Sequence, residues 1–177
     1  MKTLVIYSSQ TGFTEKYAKL LADKLGAELL TIKEAKKKKG PFFEEYEAIV
    51  YGGWVRAGSV VDAKWFVNKA EGWKDKKLAV FRVGASPEEG PGVAEQVNTL
   101  LTEEQRKYIE PFYCQGGLDY DKMNLPSKMM MRALISVLSK KADKTEEDEQ
   151  MIAMISDSFD MLDEKNIEPI VKYIAGE

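Results

Sequence analysis

The sequence predicts a three-layer α/β sandwich, with a five-stranded parallel sheet covered by helices on both faces. Three observations carry that prediction. Short apolar, β-branched runs recur through the first two-thirds of the chain, each continuous rather than alternating, as in strands buried on both faces. Segments of helical spacing lie between them, which makes successive βα crossovers. The length of 177 residues suits one domain that buries about two-thirds of its surface, and no repeat, low-complexity tract or linker divides it.

The elements follow in order. Residues 3–7 read as the first strand and 8–12 as a loop rich in hydroxyl groups. Residues 14–25 have helical spacing, with Tyr17, Leu21 and Leu25 on one face, and Gly26 stands where a helix C-terminal glycine belongs. Residues 28–32 form a second strand. The polar stretch 33–46 contains Lys36, Lys37, Lys38 and Lys39, read as a solvated loop or helix end rather than an anion or membrane contact. A third strand, 48–51, ends at Gly52 and Gly53. Residues 61–70 are expected to be helical, 77–83 a fourth strand, 92–101 a helix and 108–113 a fifth strand. Trp65 and Trp73 read as packing residues.

The last third departs from this rhythm. Helices are expected over 127–140, 146–162 and 168–174, the last closing the outer face of the sheet. The excursion is long for a connection. The whole chain, 1–177, is therefore read as a single domain with 116–165 as a helical insertion. Met129, Met130 and Met131, with Met151, Met154 and Met161, read as core, an adaptable apolar surface being the alternative.

Composition excludes several chemistries. Lysine and arginine number 26 and aspartate and glutamate 29, a net charge of −3, which gives no footprint for nucleic acid. There is no histidine, so imidazole bases and histidine metal sites are absent. Cys114 is the one cysteine, which removes internal disulfides, CxxC pairs and thiolate zinc sites; it follows an apolar strand and reads as a buried inert thiol. The first apolar run is too short for a signal peptide, and nothing approaches the ~20 apolar residues of a membrane span. A cytoplasmic location is expected.

The loop between the first strand and first helix holds the chemistry. Ser8, Ser9, Thr11 and Thr14 bear hydroxyls, and Gly12 lets the backbone approach a ligand closely. Unpaired N–H groups at a helix start form a ready anion site. No GxxxxGK[ST] or dinucleotide fingerprint occurs. The loop carries no lysine or arginine, so an anion here is held by dipoles and hydrogen bonds, as suits an enclosed phosphate monoester. Composition alone leaves an ordinary capped turn as the alternative.

The run Val5-Ile6-Tyr7-Ser8-Ser9-Gln10-Thr11-Gly12-Phe13-Thr14 resembles the phosphate loop of the flavodoxin-like FMN proteins. Gly52-Gly53-Trp54-Val55-Arg56-Ala57-Gly58 and Gly84-Ala85-Ser86-Pro87 fall where that family places the two walls of its flavin site. A closer resemblance is to the menaquinone-dependent protoporphyrinogen dehydrogenase branch, at Gly52, Val55, Arg56 and Gly58, at Gly117, Leu118 and Tyr120, and at Lys128-Met129-Met130-Met131-Arg132.

The resemblance implies a flavodoxin-like sheet of order 2-1-3-4-5 with FMN at the carboxyl ends of strands one, three and four. Ser9, Gln10, Thr11, Gly12, Phe13 and Thr14 would hold the phosphate. Gly53, Trp54, Val55 and Arg56 would form one ring wall, and Gly84, Ala85, Ser86 and Pro87 the other. Trp54 is the expected ring cover, and Gly52 and Gly53 are expected to adopt positive φ or flip a peptide at the flavin. The second wall has no aromatic residue, so one ring face is expected to stand open. Arg56 either stabilises negative charge or makes a surface salt bridge, and Glu88 and Glu89 read as solvated loop residues. The implied activity is FMN-dependent electron transfer to a quinone or a redox partner protein, with peripheral membrane contact allowed. A simple electron carrier and a flavin-free interaction module of the same fold are the alternatives.

Overall fold

The structure, a computed structural model, describes residues 1–88, 90, 93 and 100–177. Strand β1 (Thr3–Ser8) lies between β2 (Glu28–Thr31) and β3 (Ala48–Arg56), parallel to both. Beyond β3 come β5 (Lys77–Gly84) and β6 (Ile109–Gln115), again parallel, so the sheet order is β2-β1-β3-β5-β6. This is the doubly wound order expected, with one addition. A two-residue strand, β4 (Ser59–Val60), folds back antiparallel on the end of β3.

Strand alternation produces two cores from one sheet. Leu4, Ile6, Ile49, Tyr51, Leu78 and Val80 point to one face. There they meet α2 (Ile32–Ala35), α3 (Gly40–Glu44) and α4 (Ala63–Ala70) through Ile32, Phe43 and Phe66. Trp73 and Trp65 close this side in a group of rings around Phe43, the packing role expected of them. Val5, Val50, Ala79 and Phe81 point to the other face, against α1 (Phe13–Leu25) and α7 (Glu168–Ala175) through Tyr17, Leu21, Ile170 and Ile174. Cys114 is fully buried on this face, and burial pushes its thiol well above the ordinary range.

Helix ends follow local chemistry. Gly26 takes the left-handed conformation after α1 and donates to the Ala22 and Asp23 carbonyls. Thr31 and Glu34 form a capping box at α2. The lysine run is the end of that helix and its loop. Lys36 reaches Asp62 at 2.7 Å, and the Lys38 ammonium lies 4.4 Å from the centre of the Phe42 ring.

The polar stretch 33–46, whose lysine run is read as a solvated loop or helix end, holds the end of α2 and the whole of α3. Two boundaries differ from expectation. The third strand continues five residues past Tyr51, to Arg56, because β4 supplies a further partner. The helix predicted over 146–162 stops at Ser156, and the chain returns as β8 (Phe159–Asp160), paired with β7 (Gly117–Leu118). The helix predicted over 92–101 falls mainly outside the described residues.

The excursion comprises α5 (Leu125–Ser139) and α6 (Glu146–Ser156). It is fastened back to the sheet at Tyr17. That hydroxyl donates to the Gln115 carbonyl at 2.5 Å and accepts from the Asp163 N–H at 3.1 Å and the Asn166 side chain at 2.8 Å. Lys16 adds an exposed ion pair to Asp160 at 3.0 Å, of small energetic weight.

Gly52 shows how tightly the central strands meet. It pairs with Tyr7 on one side and Phe81 on the other, and a Cβ there would stand 2.1 Å from the Phe81 ring. Overpacking of this kind costs about 1–3 kcal/mol or more. Gly52→Ala should therefore lower the thermal midpoint by several degrees, with Gly52→Ala/Phe81→Leu recovering part of the loss; an unchanged midpoint in the single variant would contradict the packing described.

Candidate functional site

The site forms where β1, β3 and β5 end together. After Ser8 the chain turns through Gly12, whose φ of 100° is closed to most side chains, and enters α1. Gly12 donates its N–H to Ser9 Oγ at 3.1 Å, which leaves the Ser9 hydroxyl proton free to donate elsewhere. Among the described residues no side chain caps this end of α1, so its first-turn N–H groups and the positive end of its dipole face the loop. Thr14 is fully buried, and its Oγ1 has no hydrogen-bond partner among the described residues. A buried hydroxyl without a partner is costly. This one lines a cavity of about 300 Å³, at the lower end of the usual range for ligand pockets.

Alternation along β3 brings Trp54 to the same place. Val50, Gly52 and Trp54 share the face of α1, and Trp54 emerges beyond the Gly52–Phe81 contact into the cavity. Val55 and Arg56 line it as well. A two-residue turn at Ala57 and Gly58, with φ of 47° and 78°, reverses the strand. The Arg56 guanidinium lies 5.7 Å from the Trp54 ring centre and makes no ion pair among the described residues. It thus meets an aromatic neighbour rather than the salt bridge that was one of its two expected roles.

Gly52 and Gly53 do not behave as expected. Both are paired in β3 with extended backbone, so neither supplies a positive φ or a free peptide. Their small size is what the strand uses: Phe81 covers Gly52, and Val60 covers Gly53 at 2.5 Å from a would-be Cβ. The left-handed pair is Ala57 and Gly58 instead.

The second wall is Gly84 and Ala85 at the end of β5. Behind it the Tyr113 hydroxyl donates to the Ser86 carbonyl at 2.5 Å, and burial pushes that phenol up to about 12. Glu88 is exposed, as expected, and lines a separate cleft with Tyr113 and Lys165. Glu89 lies outside the described residues.

The excursion adds a further side to the cavity. Leu118 on β7, Met123, and Ser127, Met130, Met131 and Leu134 of α5 complete the cavity. Among the described residues of α5 only Ser127 is buried, so the expectation that these methionines are core does not hold. Met129 is 61% exposed, and Met130, Met151 and Met161 are exposed too. The helical spacing of the methionines was the signal available; it marks an apolar face without saying what the face covers.

Of the residues expected from sequence, Ser9, Gln10, Thr11, Phe13 and Thr14 line the cavity together with Trp54, Val55, Arg56, Gly84 and Ala85. Gly12 shapes the loop, Gly53 is buried behind the wall, and Ser86 and Pro87 stand outside the lining. Arg56 is the one charged residue among the described residues that line it. The cavity therefore offers hydroxyls, backbone N–H groups and apolar surface, a setting for holding a phosphorylated apolar ring rather than for acid–base chemistry by side chains.

Comparison with known proteins shows the family. Residues 4–146 match the flavodoxin domain. The flavodoxin-like domain-containing protein BilS of Clostridioides difficile (strain CD3) is 30% identical over 123 residues, which cover 67% of this chain and 68% of that protein. A WrbA-like flavodoxin from Agrobacterium tumefaciens superposes with a TM-score of 0.43 at 23% identity, over 54% of this chain and 65% of that one, just under two-thirds of its length. A flavoprotein in complex with FMN from Lactobacillus acidophilus NCFM gives 0.45 at 16% identity, over 64% and 91% of the two chains. The Trp repressor binding protein of Bacillus subtilis gives 0.49 at 13% identity, over 68% and 88%. With four-fifths of its length matched and its sheet order that of the doubly wound class, the chain belongs to the flavodoxin-domain family.

Proposed function

We propose that this chain is an FMN-dependent electron-transfer protein that binds the cofactor in the cavity at the ends of β1, β3 and β5. The observation that carries the reading is the buried Thr14 Oγ1, unpartnered among the described residues, beside the start of α1 that none of them caps. Such a cradle lacks an anionic partner of its own and fits a phosphate. Ser9, Thr11 and Thr14 would give hydroxyl donors to that phosphate, and the first-turn N–H groups of α1 would add theirs. Trp54 would cover the ring on one side, with Gly84 and Ala85 presenting backbone along its edge. Leu118, Met130, Met131 and Leu134 would exclude water from it. When bound, FMN supplies one- and two-electron chemistry. Arg56, drawn toward the cavity by Trp54, would place positive charge where a reduced ring or an acidic reactant gathers negative charge.

A second reading refines the first: an oxidoreductase akin to the menaquinone-dependent protoporphyrinogen dehydrogenases, with a quinone or protein as acceptor. The observation that favours it is convergence. Val55, Arg56, Leu118, Met130 and Met131, from three separate motifs of that resemblance, all meet at one cavity. Steady-state turnover without a reductase partner separates an enzyme of this kind from a simple carrier.

Two substitutions test the cradle. Thr14→Val removes a buried hydroxyl that has no partner, so it should raise the stability of the flavin-free protein by about 1–2 kcal/mol in urea titration; a loss of stability would show that Oγ1 already has a partner. Thr11→Ala/Thr14→Ala should weaken FMN binding on the order of 100-fold, read from visible flavin bands that no longer travel with the protein in gel filtration. Undiminished retention would reduce the loop to a capped turn, and a wild-type protein that ignores FMN would favour the flavin-free module.

A further inference from the structure

We propose that α5 is a membrane-interface helix, and that it docks the protein on an anionic lipid surface with the mouth of the cavity facing the bilayer. The helix carries apolar residues on a face that none of the other described residues covers. Leu125, Met129 and Val137 are 68%, 61% and 69% exposed, and Ala133 between them is exposed too. Their spacing of four residues places them along one side of the helix. Met130 and Leu134 adjoin this stripe at 37% and 42% exposure and also line the cavity. The exposed stripe therefore runs into the cavity wall through two shared side chains.

Charge selects the occupant. From residue 122 to 142 there are five cations, Lys122, Lys128, Arg132, Lys140 and Lys141, and no acidic residue. Lys122 pairs with Asp119 and Lys141 with Asp148. Lys128, Arg132 and Lys140 make no ion pair among the described residues. Lys128 and Arg132 are four apart, on the flank of the helix next to the apolar stripe. Asp121 and Asp157 share a cleft with Lys128 and Arg132, and within 122–142 the helix itself carries cations alone beside flexible apolar side chains, the pattern of a helix at an anionic lipid interface. A second copy of this chain would instead bring the same cations against one another. No helix of the described residues is long and apolar enough to cross a membrane, so the contact is peripheral.

This inference stands apart from the flavin reading, because lipid binding can be measured on the full chain with or without cofactor. The chain is sedimented with vesicles of equal parts phosphatidylglycerol and phosphatidylcholine, and with vesicles of phosphatidylcholine alone. Binding to the anionic vesicles should be at least about tenfold tighter, and raised salt should release it. Lys128→Gln/Arg132→Gln should weaken it about 25-fold, from roughly fivefold per cation. Met129→Asp/Val137→Asp should abolish it; both positions are exposed, and the charge variant provides a second test that leaves the apolar stripe intact. Absence of binding to the anionic vesicles, or equal binding by wild type and both variants, would overturn the proposal. So would a dimer in sedimentation velocity that Met129→Asp/Val137→Asp dissociates, since the stripe would then be covered by a second copy.

Discussion

Parallel pairing on both sides of β1 is the constraint from which the rest of the structure follows. A parallel strand requires a crossover, and each crossover returns the chain to the same starting edge. All the carboxyl ends of β1, β3 and β5 therefore meet at one edge, and that edge is where ligands bind in open sheets of this kind. Register then selects which side chains reach it. Gly52 leaves room for the Phe81 ring to lie over it, and two residues further along the paired strands Trp54 and Val83 enter one cavity. A larger residue at position 52 would displace the Phe81 ring.

The loop and first wall were legible in the sequence because they are local. A buried apolar run, a hydroxyl-rich turn and a helix start lie within twelve residues, and the anion site is a property of that junction alone. Trp54 was legible for the same reason, three residues beyond an apolar strand. Gly52 and Gly53 were misread as conformational switches. What requires them is contact with Phe81 and Val60, and the first of those depends on a register between strands almost thirty residues apart. The same limit applies to α5. Helical period shows that Met130 and Leu134 share a face, while the facing surface, built from β3, β5 and β7, is set by long-range topology.

Polar contacts help to tie the excursion to the rest of the chain. Tyr17 joins α1, the end of β6 and the returning chain through one hydroxyl with three partners. The Tyr120 hydroxyl donates to the Ile155 carbonyl at 2.5 Å, and its backbone N–H donates to Ser158, which binds the loop before α5 to the end of α6. Between these anchors α5 contributes its methionines to the cavity and leaves its other side uncovered. The helix is positioned by its ends, while its surface is free for the two roles assigned to it, closing the cavity and meeting an anionic interface.

The central claim is that the first loop and the start of α1 hold a phosphate. It is tested most directly by comparing the affinities of FMN and riboflavin, which share the ring and differ in the phosphate, by fluorescence titration of the purified chain. The account predicts that FMN binds at least about 100-fold more tightly, as expected for two or more charge-assisted hydrogen bonds. Equal affinity for the two would mean that the ring alone is recognised, and would contradict the role given to Ser9, Thr11 and Thr14.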